Sequence, residues 1–166
     1  MFALKPISHE SVSSALAKAE RYRLLSEPGE AESICRDILD IEPDNQQALV
    51  HLVLALTDQI GAHPQSFTDA ISTSGRLRSN YERAYYEGIA WERRAKARLH
   101  AGGHGAHHIV YEWMARALQK FEEAEQHRPQ GNDDAILRWN TCVRFLQAHK
   151  DVKPREADEL SPIVSE

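Results

Sequence analysis

The residues best equipped for chemistry in this 166-residue chain crowd into one stretch: Arg93, Arg94, Lys96 and Arg98, then His100, His104, His107 and His108, with no carboxylate between positions 93 and 108. The stretch is positive at neutral pH and gains charge as imidazoles titrate near their reference value of about 6.5. An acidic protein surface, nucleic acid or anionic lipid would be attracted to it. The histidines also raise the question of a metal, because His104 and His108 stand one helical turn apart and His100 could reach across the intervening glycines. The ligand set is poor: no cysteine is close, and Glu112 is the nearest carboxylate to His108. No metal or other cofactor is therefore expected, and a solvated basic loop is the plainer reading.

Catalysis has little support elsewhere. The chain has no phosphate-binding glycine loop, no Gly-x-Ser-x-Gly elbow, and no recognisable pair of carboxylates set in an apolar pocket. Asp133 and Asp134 read as first-turn acids that favour a helix dipole, and Glu122, Glu123 and Glu125 as a solvated face. No enzymatic activity is expected.

The elements that must position these side chains are helical. Apolar residues recur in steps of three and four, with no convincing alternation of period two, so the chain is expected to be all-α. The pattern predicts helices from about Ser8 to Leu25, Glu30 to Ile41, Asp44 to Ile60, and a weak one around Ser66 to Ser72. From Leu77 the stripe Leu77, Tyr81, Ala84, Gly88, Trp91, Ala95 and Leu99 supports a helix of more than twenty residues, broken by Gly102, Gly103 and Gly105. A return helix carries Ile109, Trp113, Ala117, Phe121 and Ala124 to Pro129, and a last one spans about Asn132 to His149. Residues 1–149 are expected to form one domain, with 150–166 a polar tail, expected to be disordered.

Charge and composition narrow the setting. The net charge of −5 hides a positive middle: residues 76–98 hold seven bases and three acids, a net of +4, which leaves −9 for the rest. The longest apolar run, Ala48 to Leu56, contains His51 and is too short to span a membrane. The first six residues lack the blocks of a signal peptide, and Cys35 and Cys142 fall on apolar helix faces as buried thiols would. A soluble, cytoplasmic protein is expected.

Two helices close on the same arrangement: Ala117, Phe121, Ala124 and Pro129, and earlier Ala31, Cys35, Ile38 and Pro43. Small residues at such positions admit a neighbouring helix, larger ones fill the gap, and the proline ends the helix. This resembles the second helix of a tetratricopeptide repeat, whose unit is about 34 residues. Counted back from Pro43, Ala19, Tyr22 and Ala31 fall where the family has Gly, Tyr and Ala. Ala15 and Lys18 replace its Trp and Leu, Cys35 its Phe, and Ile38 its second Ala. In the third repeat Gly88 and Ala117 lie 29 positions apart, where the family has about 12, so that hairpin should be long and project from the stack.

The resemblance implies a right-handed solenoid of about three helix pairs with a capping helix from Asn132. It also implies a non-catalytic interaction module that takes a peptide or partner protein in a concave groove. The groove would present Leu16, Ala17 and Glu20, then Val50, His51 and Leu54, then Tyr85, Tyr86, Ile89 and Arg93. The Lys and Asn residues with which some family members clamp a terminal carboxylate are missing, so that specificity does not carry over. The alternative at these positions is interhelical core, and for the whole chain a closed helical bundle. A role for the basic tip toward metal or nucleic acid is the rival function, with nucleic acid the less favoured partner. Self-association through an uncapped end of the stack is a third.

Overall fold

The structure, a computed structural model, describes residues 2–155. Among them are seven α-helices and no strand: α1 (Val12–Leu24), α2 (Pro28–Ile41), α3 (Gln46–Asp58), α4 (Gln65–Ser74), α5 (Asn80–Ala101), α6 (Ala106–Gln126) and α7 (Asp134–Ala148). None is long and apolar enough to cross a membrane.

Local chemistry sets the ends. A 3-10 turn at His9–Ser11 precedes α1, so the first helix begins later than its periodicity suggests. Pro28 opens α2 at the position where a missing N–H costs nothing. The Asn45 side chain accepts from Ala48 N at 2.9 Å and caps α3. The Ser79 hydroxyl accepts from Glu82 N at 3.3 Å, which starts α5 three residues after Leu77; Leu77 is buried but lies before the helix. The α5–α6 turn needs backbone that only glycine adopts freely, with φ of +67° at Gly102, +98° at Gly103 and +69° at Gly105.

Each helix packs on the next, and in addition α1 touches α3 and α3 touches α5. The helices α1, α3 and α5 therefore lie side by side. A first core gathers Ala19, Ala31, Ile38, Leu49, Leu56 and Phe67 from α1 to α4; a second gathers Ile89, Val110, Met114, Phe121 and Cys142 from α5 to α7. Tyr86 and Trp91 on α5 pack against both.

In the long hairpin α5–α6 the two helices approach closely at Gly88, nearer than at any other described glycine. A Cβ built there would lie 2.6 Å from Phe121 Cε1, well inside van der Waals distance, so the Phe121 ring occupies the space a side chain would need. Across the same hairpin Lys120 pairs with Glu87 at 3.2 Å. Beyond α7 the chain folds back instead of trailing away. Val152 is buried in the second core, and Asp151 pairs with His107 at 2.9 Å. Residues 150–155 of the expected tail thus pack on the hairpin, and 156–166 lie outside the described residues.

Candidate interaction surface

The row expected to face a groove lies on α1, α3 and α5. On α1, Leu16 is half-buried against the first core and Glu20 is exposed. On α3, Val50 packs partly against the first core and Leu54 against the second. His51 beside them is half-buried, and its Nδ1 has no hydrogen-bond partner. Burial holds the His51 imidazole below its ordinary value, against the opposing pull of the Glu20 carboxylate.

On α5 the aromatic residues form a cluster. Tyr85 stacks on Tyr81 at 5.6 Å between centroids, meets Tyr86 edge-on at 5.1 Å and leans on Phe121 at 6.0 Å. Tyr85 and Tyr86 are each half-buried, and burial pushes the Tyr86 phenol up to about 12. Ile89 is 2% exposed and belongs to the second core, so it supports the surface from beneath.

Arg93 joins the three helices. Its guanidinium donates to Thr57 Oγ1 at 2.5 Å, to the Leu54 carbonyl at 3.2 Å, and to Asp58. The other oxygen of Asp58 accepts from Arg23 Nε on α1 at 2.7 Å. One carboxylate on α3 therefore bridges an arginine from each flanking helix. Desolvation draws the Arg93 pKa down, and Asp58 opposes it.

Beside this ladder is a residue that pattern reading missed. Glu92 is 1% exposed; Lys96 Nζ reaches its Oε1 at 2.5 Å, and Arg138 on α7 lies 3.5 Å from Oε2, an ion pair without a hydrogen bond. Lys96 at i+4 was the available signal for Glu92. Nothing local in the sequence marks Arg138, Arg23 or Asp58 as partners. The ion pairs along and beside the row join four cations, Arg23, Arg93, Lys96 and Arg138, to the two carboxylates Asp58 and Glu92, and Glu20 on α1 adds a third acid.

The basic tip is not brought together as one patch. Arg93 and Lys96 face carboxylates as described. Arg94 lies over the rings of Phe67 at 4.0 Å and Trp113 at 4.1 Å, and Arg98 donates to the Gly102 carbonyl at the end of its own helix. His100 and His104 are exposed at the turn, while His108 Nδ1 lies 3.0 Å from the Lys153 carbonyl oxygen. Among the described residues no three His, Cys, Asp or Glu side chains converge to hold an ion. Cys35 and Cys142 are buried and unbonded to each other, and desolvation pushes both thiols up to about 12.

No protein-family model matches the chain, and neither the curated proteins nor the solved structures give a match.

Proposed function

We propose that the chain is a non-catalytic protein-interaction module, a tetratricopeptide-like stack of helical hairpins that receives a peptide or partner surface along α1, α3 and α5. The observation that carries this reading is the Arg23–Asp58–Arg93 bridge, which ties those three helices into one continuous face. Half-exposed Leu16, Val50, Leu54, Tyr85 and Tyr86 stand on the same helices and supply apolar and aromatic contact area. An extended or helical segment uses this combination: side chains for affinity, a few fixed charges for register.

The test is selection of binding peptides from a displayed library, followed by titration against surface variants. Leu16→Glu and Val50→Glu are expected to weaken the selected peptides at least tenfold with the helical circular dichroism unchanged, whereas Glu122→Lys on the far helix α6 leaves binding intact. Affinity that ignores both α1 and α3 variants would remove the groove from consideration.

A further inference from the structure

A second feature stands apart from that face. Where the α3–α4 turn meets the long hairpin, Ile60, Pro64, Ala97 and Trp113 wall an open cleft of about 190 Å³ whose charged lining is Arg94 and Arg98. On α5 these arginines project from a different side of the helix than Tyr85, Ile89 and Glu92, given 3.6 residues per turn. The cleft carries no carboxylate in its lining, and neither arginine has a carboxylate partner among the described residues.

Arg94 is the informative residue. Its guanidinium contacts the faces of Phe67 and Trp113, and partial desolvation draws its pKa down. Aromatic rings cover the faces of a guanidinium and leave the in-plane N–H donors directed outward, which is the arrangement that receives a carboxylate on two parallel hydrogen bonds. Arg98 uses one terminal nitrogen on the Gly102 carbonyl and keeps other donors. A cavity of about 150 Å³ accepts a benzene ring, so the apolar part of this cleft has room for one large side chain.

We propose that this cleft binds an acidic linear peptide in a partner protein, seating one large apolar side chain against Trp113, Ile60 and Pro64 while the neighbouring Asp or Glu carboxylate pairs with Arg94 and Arg98. Charge complementarity selects the occupant: a neutral apolar segment would leave two half-buried cations without a counter-charge, and an acidic segment without an apolar residue would leave the walls wet. This site is independent of the groove along α1, α3 and α5, and each stands if the other fails.

The experiment is calorimetric titration of the full chain with acetyl-Gly-Phe-Glu-Glu-Gly-amide and with its Gln-Gln counterpart. Saturable binding below about 1 mM is expected for the acidic peptide, weakening as salt rises, with the neutral peptide at least tenfold weaker. Arg94→Gln should reduce affinity about tenfold. Ala97→Leu, which fills the cleft and keeps both arginines, should do the same with the circular dichroism unchanged. Equal binding of the two peptides, or full affinity in both folded variants, overturns the proposal, as does no binding at 1 mM. If 3-phenylpropionate binds as tightly as the peptide, the cleft takes a small carboxylate and the peptide assignment falls. Residues 156–166 carry four acids and no base. A tenfold gain in affinity on removing them would make the chain's own segment the occupant and overturn binding in trans; unchanged affinity supports it.

Discussion

Substituting Gly88 by alanine adds one methyl group where α5 meets the Phe121 ring of α6. That carbon would lie 2.6 Å from Phe121 Cε1 and 2.8 Å from Cδ1, where ordinary contact is about 3.5–4.0 Å. The ring must move by roughly 1 Å, yet Phe121 is 1% exposed and leans on Tyr85 across a centroid distance of 6.0 Å. Overpacking of this kind costs about 1–3 kcal/mol, and the confinement of the ring places it near the upper end. Alanine returns about 1 kcal/mol through its greater helix propensity. The net expectation is a loss of about 2 kcal/mol, equivalent to a fall in Tm of about 4–8 °C for a chain of this size. Urea unfolding followed by circular dichroism measures it, with Phe121→Leu and the double variant completing the cycle. The leucine gives the methyl group room, so the pair should couple by more than about 1 kcal/mol. A Gly88→Ala chain as stable as the parent, or a cycle additive within about 0.5 kcal/mol, would refute the close approach.

Three further outcomes are expected. Burial holds His51 below its ordinary pKa, so as pH falls below about 6.5 the unfolded chain takes up a proton before the folded one does, and stability drops until the folded site titrates. Urea midpoints between pH 5 and 8 should fall further for the parent than for His51→Asn, and parallel curves would contradict this. Cys35 and Cys142, with thiols raised to about 12, should resist a disulfide-exchange reagent at pH 8 in the native protein and react in denaturant; prompt native reaction would place a thiol at the surface. Replacing both Lys96 and Arg138 by leucine leaves the Glu92 carboxylate buried without a counter-charge, at a cost of about 3 kcal/mol that adding Glu92→Leu should largely recover. Chemical denaturation of the three chains checks it, and a double variant with unchanged stability would show Glu92 to be solvated.

Much of the helical plan is legible in the sequence because it depends on local period and punctuation. The stripe from Leu77 to Leu99 and the Gly102–Gly105 break announce α5 and its turn, and the observed helix, Asn80–Ala101, differs at its start because Ser79 supplies the cap. Even the weak segment around Phe67 and Ile71 is a helix, α4. Pairings across helices are not legible in the same way. Asp58 lies 35 residues from both Arg23 and Arg93, and which of many exposed charges meet depends on how each helix is rotated in the packed chain. The basic stretch shows the limit most clearly: its four cations are neighbours in sequence, but successive helical positions turn by about 100°, which sends Arg93 to Asp58 and Lys96 to Glu92 while Arg94 and Arg98 share a cleft on another side of the helix. Val152 was equally hidden, since a single apolar residue among Lys150, Asp151, Lys153 and Pro154 carries no period.

Because Tyr86 and Trp91 serve both of the larger hydrophobic interiors, α5 is a wall common to two rooms. Fraying of α1 opens only the first interior, and fraying of α7 spares it, opening the second and the small cluster of Tyr81, Ala84, Ala124 and Ala135, while a slip in the register of α5 exposes them all at once. Tolerance to damage should therefore decline from the two ends of the fold toward its longest helix, making α5 the segment whose amide protons exchange last.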